Sequence, residues 1–207
     1  MFTILHKIDF HSRNLFKIFR TYPKMLADYA YLRYYGVETK FGYVTLYGFP
    51  IIVKCKGSKI LLGKGCSIVS KTKYNLAGVF HRSLITTLTP DALIHIGKSG
   101  MSAVVICAAN KIIIGDYCAL GVNVKIYDTD FHCINPEERK NQKSINEAKS
   151  NPVFIHNSVW LGVDTIVLKG VTIGYGSIIG AASVVKRNIP EMEIHSGNPL
   201  TFIKHVE

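Results

Sequence analysis

The stretch Tyr127-Asp128-Thr129-Asp130-Phe131-His132 sets two carboxylates and an imidazole at alternate positions. An extended chain sends alternate side chains to one side, which places Asp128, Asp130 and His132 on a common face. An imidazole beside a carboxylate has its tautomer and ring orientation fixed, and in that state it suits a general base. His132 is therefore the candidate base, with Asp130 or Asp128 as the candidate orienting group. A carboxylate here equally caps a backbone turn, so both roles stay open for the two aspartates. Tyr127 reads as packing.

What must position these residues is visible on either side of them. From Ile155 a bulky aliphatic residue returns every six positions: Ile155, Leu161, Val167, Ile173, Ile179, Val185. Four places after each stands a small or β-branched residue: Val159, Thr165, Val171, Ser177, Ser183, Ile189. A helix repeats near 3.6 and a plain strand at 2, so a sustained period of six is neither. It describes a chain that turns a corner every six residues, and three such sides stack as the coils of a parallel β-helix. Gly162, Gly174 and Gly180 directly follow the aliphatic position, where a positive φ at the corner is expected. The same register appears at Leu62-Gly63 and Ile68. It resumes at Ile96-Gly97, runs weakly through Ser102 and Ala108, and is clear at Ile114-Gly115, Leu120-Gly121 and Ile126. Between Ile126 and Ile155 the spacing is not a multiple of six, so residues are looped out. That segment, polar and charged from Asn135 to Pro152, projects from a rigid scaffold, where long loops are often functional.

The class is all-β, a parallel β-helix over 43–190 with excursions at about 70–90 and 128–153. Residues 1–42 read as a helical cap, with Ile4, Ile8, Leu15, Ile18 and Phe19 at helical spacing. Thr21 and Pro23 read as the cap and early proline of a second helix to about Tyr34. The open end of a solenoid needs such a cover. A basic amphipathic helix lying weakly on an anionic membrane face is the second reading of this segment. Residues 191–207 read as a C-terminal tail whose element from Leu200 to Val206 covers the far end.

At 207 residues the chain suits one domain, and its net charge of +11 argues for an anionic partner. No helix-turn-helix, zinc or RNP-type motif is present, so nucleic acid is not the expected partner. No apolar run approaches the ~20 residues of a membrane span, and charged residues interrupt the first thirty, as no secretory signal would have them. The expected location is the cytoplasm, and at most the inner membrane face. The five cysteines form no CxxC pair and read as reduced space-fillers.

From about residue 60 to 204 the chain resembles the left-handed β-helix acyltransferases of the hexapeptide-repeat family. The resemblance rests on the repeats, Asp-Thr-Asp-Phe-His at 128–132, Val-Trp-Leu-Gly at 159–162, Lys-Gly-Val-Thr-Ile-Gly at 169–174 and Ile-Gly-Ala-Ala-Ser-Val-Val at 179–185. Ile189-Pro190 and Gly197-Asn198-Pro199 complete the order. Within the family it is most similar to sugar O-acetyltransferases of the galactoside, maltose, capsule and O-antigen type. The resemblance implies a left-handed coil, a homotrimer with sites in the clefts between copies, and acetyl transfer from acetyl-CoA to a saccharide or other small acceptor without a metal. It implies His132 as the base, with backbone N–H groups or a polar side chain holding the oxyanion. For the cofactor it implies Trp160, Gly162 and Ala181 along the pantetheine arm, and Lys186, Arg187 and Lys204 at the phosphates.

Two departures stand out, the first on the cofactor side and the second bearing on the acceptor. Val163 stands where galactoside-type enzymes often carry Ser, and their sugar-gripping residues are not recognisable around Met101 to Ala109. Asn110 is the nearby substitute, with Asn75 and Arg82 of the first excursion as further candidates for contact with the substrate. N-acetylation of a nucleotide-linked amino sugar, or acetylation of serine or an antibiotic, uses the same base. A zinc enzyme on the same scaffold needs three convergent imidazoles, and His81, His95, His132 and His156 lack the close His-x4-His pair. A non-catalytic scaffold is the reading outside enzymes.

Overall fold

From Val44 onward every turn of the chain lays one strand on each of three sheets. The computed structural model describes residues 21–207, so the expected helix with Ile4 to Phe19 lies outside the described residues. The first coil is β1 (Val44–Tyr47), β2 (Ile51–Lys54) and β3 (Lys59–Leu62), and the second is β4 (Cys66–Val69), β5 (Leu84–Thr87) and β6 (Leu93–Ile96). Then come β7 (Gly100–Ser102), β8 (Val105–Ala108) and β9 (Lys111–Ile114), followed by β10 (Ala119–Leu120), β11 (Lys125–Tyr127) and β12 (Val153–Ile155). The series closes with β13 (Trp160–Leu161), β14 (Ile166–Val167), β15 (Thr172–Ile173), β16 (Ile178–Ile179) and β17 (Val184–Val185).

Sheet one stacks β1-β4-β7-β10-β13-β16, sheet two β2-β5-β8-β11-β14-β17 and sheet three β3-β6-β9-β12-β15. All of these pairs are parallel. The result is a triangular prism with three edges, one-two, two-three and three-one.

The period of six is the packing rule of this prism. Ile155, Leu161, Val167, Ile173, Ile179 and Val185 are all buried, and so are Val159, Thr165, Val171, Ser177, Ser183 and Ile189. Each side of a coil therefore sends in two residues. Buried hydroxyls among them bond to backbone carbonyls of the coils: Ser177 donates to Pro190 at 2.6 Å and Ser183 to Gly180 at 2.6 Å.

The glycines that follow the aliphatic slot have a different role from the expected one. Positive φ falls three places after the aliphatic residue instead, at Ser158 (62°), Asp164 (60°), Gly170 (77°), Gly176 (67°) and Ala182 (56°). A Cβ on Gly162 would stand 2.5 Å from the Ala181 nitrogen, and one on Gly121 2.7 Å from the Val163 nitrogen. These corners lack a side chain because the next coil lies directly against them.

The N-terminal end is closed as a cap. Residues 21–34 form helix α1, with Thr21 inside the helix rather than capping it. Leu32 and Val37 are fully buried in the core. The buried Asp28 carboxylate accepts from the Leu46 N–H of the outermost strand at 3.0 Å and pairs with Lys24 at 2.5 Å. An edge strand's donor is thereby satisfied where no further coil exists.

The first excursion and the tail differ in extent from the sequence reading, whereas the second runs between β11 and β12 as expected. The first leaves sheet one at Ser70 and has already returned by β5, so it ends before 84. Ile85 takes the inward slot and Thr87 accepts from the Cys55 N–H at 3.0 Å, a threonine-rich strand without the aliphatic signal. The second hangs from the two-three edge and carries α2 (Pro136–Asn141), capped by the Asn135 side chain on Glu137 N at 2.9 Å. At the C-terminus, β18 (Glu193–Ser196) continues sheet one in parallel with β16, and β19 (Thr201–His205) folds back antiparallel. The strand β19 is exposed throughout and extends the sheet; Leu200, buried in the core, is what closes the far end.

All five cysteines are free. Burial pushes the Cys66 thiol up to about 12 and, with Asp128 nearby, the Cys107 thiol up to about 11; burial also raises Cys118. Such thiols stay protonated at pH 8, and the thiolate is the reactive form. Cys133 is buried and Cys55 only partly so. Ellman's reagent at pH 8 should titrate one thiol per native chain quickly, removed by Cys55→Ser, and all five after denaturation. Fast reaction of three or more would contradict this core.

Candidate active site

The residues after β11 do not continue as an extended strand. Asp128 is fully buried and turns inward at the two-three edge, where its two oxygens accept from the Ala109 N–H at 2.7 Å and the Asn110 N–H at 2.8 Å. Burial pushes its carboxyl above the usual value, opposed by those backbone donors. Asp130 pairs with Lys169 of the next coil, Oδ1 to Nζ at 2.7 Å, and its Oδ2 is buried without a hydrogen-bond partner. Phe131 takes φ +63° and its ring meets Tyr127 edge-on at 5.4 Å. That left-handed residue breaks the alternation on which the expected common face rested. Asp128 is the backbone cap of the open alternative, Asp130 is engaged by Lys169, and neither is hydrogen-bonded to His132. His132 itself is exposed at the loop base.

The loop's two ends are zipped together below it. Thr129 bridges Ser150 antiparallel, the Asp130 N–H donates to Lys149 O at 3.1 Å, and the Asn151 N–H donates to Asp128 O at 2.9 Å. Beside this zipper an open cleft of about 300 Å³ is lined by Thr89, Asp91, Asn110, Asn146 and Ser150, among others. Asn110 is thus at a concave surface, as a substrate contact requires. Asn75 and Arg82 are engaged within the fold: Asn75 donates to Ser102 Oγ at 2.8 Å, and the Arg82 guanidinium to Phe49 O at 2.7 Å and Pro50 O at 3.0 Å. Both tie down the first excursion, each with part of its donor set: the Asn75 amide has two N–H donors and the Arg82 guanidinium five.

The residues assigned to the cofactor fall into separate groups. Trp160, 54% exposed, stands on the outer face of sheet one, with Gly162 and exposed Ala181 on successive coils at the one-two edge. Lys186 and Arg187 follow β17 and lie exposed at the two-three edge, the edge that also bears His132. The Arg187 guanidinium donates to Leu200 O at 2.9 Å, and Lys204 on β19 pairs with Glu207 at 3.0 Å. Among the described residues no three His, Cys, Asp or Glu side chains form a group able to hold a metal. His81 is held by Asn123 at 3.0 Å.

Sequence reasoning missed Lys169 and Gln142. Lys169 was legible only as part of a motif, because its partner lies 39 residues away. Gln142 sits in a polar loop without period and carries no signal of its own.

No protein-family model matches the chain. A galactoside O-acetyltransferase of Lactococcus lactis is 41% identical over 88 residues, 42% of this chain and 40% of that protein. The galactoside O-acetyltransferase of Escherichia coli is 35% identical over 115 residues, 55% of this chain and 54% of that protein. The chain thus spans about half the length of the curated relatives it matches. A hexapeptide-repeat-containing acetyltransferase from Vibrio cholerae superposes with a TM-score of 0.52 at 23% identity, over 71% of this chain and 73% of the other. An N-acyltransferase from Bacillus cereus, solved with dTDP-4-amino-4,6-dideoxyglucose and coenzyme A, gives 0.59 at 18% identity, over 80% and 82%. These superpositions establish the fold, the left-handed parallel β-helix of hexapeptide repeats.

Proposed function

We propose that this chain, similar in fold to hexapeptide-repeat acetyltransferases and in sequence to galactoside O-acetyltransferases, transfers an acetyl group from acetyl-CoA to a hydroxyl of a sugar or polysaccharide precursor. His132 takes the proton from that hydroxyl as its oxygen attacks the thioester carbonyl; the carbon–sulfur bond then breaks and the proton passes to the departing sulfur, which leaves as the CoA thiol. Acetyl-CoA supplies a thioester carbonyl already activated for attack. The chain's own residues fit such a donor: Ala181, exposed and with only a methyl group, leaves its backbone approachable, and Lys186 and Arg187 offer charge to phosphates.

One observation carries this reading. His132 and the Trp160–Ala181 group occupy the two edges that bound sheet two, so one copy cannot bring them together, whereas adjacent copies can. Sheet two turns Ile51, Val53, Leu84, Val105, Ile166 and Val184 outward, a mostly apolar face with Lys125 of β11 in the row between Val105 and Ile166. Three copies with sheet two toward a common axis set the His132 edge of each against the Trp160 edge of the next, a head-to-tail contact that closes as a ring. The acceptor then enters over Asn110.

An amino-sugar nucleotide is the second acceptor class, favoured by the ligand of the Bacillus cereus protein. Thiol release from acetyl-CoA, measured across free sugars, nucleotide sugars, amino-sugar nucleotides and serine, tests the reading. Turnover is expected on a hydroxyl sugar; release on serine alone would redirect the function, and none on any acceptor would remove it.

The N-terminal end supports a peripheral membrane contact. Exposed Tyr22, Phe41, Tyr47 and Tyr74 run beside α1, with Lys24 5.6 Å over the Tyr47 ring and Lys73 4.8 Å over the Tyr74 ring. Leu26 is exposed in the same helix. Interleaved rings and lysines suit an anionic headgroup layer. No helix among the described residues is long and apolar enough to cross a membrane. The protein should sediment with vesicles containing phosphatidylserine, less so at high salt or after Tyr22→Ala with Leu26→Ala. Equal recovery with neutral phosphatidylcholine vesicles would argue against the contact.

A further inference from the structure

We infer that Gln142 is a positioning residue for His132, holding the peptide on both sides of it. Its side-chain Nε2 donates to Phe131 O at 3.0 Å, and its Oε1 accepts from the Cys133 N–H at 2.8 Å. The carboxamide thus acts as a peptide group would in a sheet, pairing with the carbonyl before His132 and the N–H after it. A further bond from Nε2 to Ser144 O at 3.0 Å fixes the amide against rotation.

The restraints concentrate around one residue. Before it, Asp130 is tied to Lys169 and the Phe131 ring to Tyr127. After it, Arg139 Nη1 donates to Cys133 O at 3.1 Å and Ile134 O at 3.0 Å. The main chain is gripped on both sides of His132 while its side chain is exposed. That is the arrangement wanted when a ring must meet a ligand at fixed position, because a misplacement of about 1 Å can cost ~10²-fold in rate. At neutral pH the glutamine carboxamide supplies an acceptor and a donor together at this spacing. Alanine supplies neither, and asparagine falls one methylene short. Glutamate, when ionised, can accept from Cys133 but cannot donate to the Phe131 carbonyl.

The inference rests on His132 being the base, and the experiment separates the two. Gln142→Ala should lower kcat by about 10²-fold with little change in KM for acetyl-CoA, because the bonds of the Gln142 carboxamide run to the loop main chain. The Cys133 amide should exchange faster with deuterium in the same variant. For Gln142→Glu, the rate relative to wild type should rise as the pH falls and the carboxyl regains a donor proton. Combining Gln142→Ala with His132→Ala should give no further loss beyond His132→Ala alone, since the amide acts only through the ring. An inactive His132→Ala beside a Gln142→Ala of wild-type kcat overturns the role of Gln142 and leaves the base in place. Full activity in His132→Ala overturns both. Unchanged exchange at Cys133 in Gln142→Ala removes the clamp irrespective of activity.

Discussion

Substituting His132 by alanine is expected to lower kcat by about 10²- to 10⁴-fold, the usual contribution of a positioned general base. The expectation is specific because of what surrounds the residue. The ring is exposed, and neither aspartate is hydrogen-bonded to it, so its removal should leave the melting temperature essentially unchanged. The loop bonds near it run through the backbone of Phe131 and Cys133, which alanine retains. KM for acetyl-CoA should also hold, since the substitution removes a proton acceptor and leaves the side chains proposed to hold the cofactor unchanged. A loss confined to kcat is the signature of an interaction made in the transition state. If wild type and His132→Ala release thiol at equal rates, the base lies elsewhere.

The second large effect is structural. In Gly162→Ala the new methyl would lie 2.5 Å from the Ala181 nitrogen and 2.8 Å from both Ala181 Cα and the Gly180 carbonyl carbon. All three are main-chain atoms of the next coil, so no rotamer change relieves the overlap and the coils must separate. Overpacking of this kind costs about 1–3 kcal/mol. In a chain of this length that lowers the melting temperature by roughly 2–4 °C per kcal/mol. Because Ala181 is displaced directly, affinity for coenzyme A should fall in the same variant, measurable by calorimetric titration. Gly100→Ala is the control: a methyl there meets only the Ser67 hydroxyl at 3.3 Å, which can rotate away. Equal melting temperatures for the two variants would contradict the stacking account.

The aliphatic slots and the inward positions four residues later were legible in the sequence because both arise from a local rule. A chain turning every six residues must send the same positions inward, whatever lies above or below. The N-terminal cap was legible for a related reason: an open coil needs cover, and Leu32, Val37 and Asp28 provide it. The first excursion was overestimated because β5 keeps its place through Ile85 and buried threonines rather than through an aliphatic period.

At the site, the motif at 128–132 marked His132 as a candidate but misplaced its neighbours. The alternation of Asp128, Asp130 and His132 assumes extended chain, and nothing in the sequence announces a left-handed phenylalanine between them. Asp128 could be either an orienting group or a turn cap until the Ala109 and Asn110 N–H groups were found against it. Likewise, nothing in the sequence announces that Asn75 bonds Ser102 and that Arg82 bonds the Phe49 and Pro50 carbonyls.

The amino-acid sequence alone determined a three-sided coil, its buried slots and a loop bearing one imidazole, because each follows from spacing along the chain. Only the tertiary structure decided that the glycines yield to the neighbouring coil, that Lys169 and Gln142 hold the loop base, and that sheet two separates His132 from Trp160 and Ala181. Those depend on which coil stacks on which, and contacts between residues tens of positions apart leave no periodic trace in a single sequence.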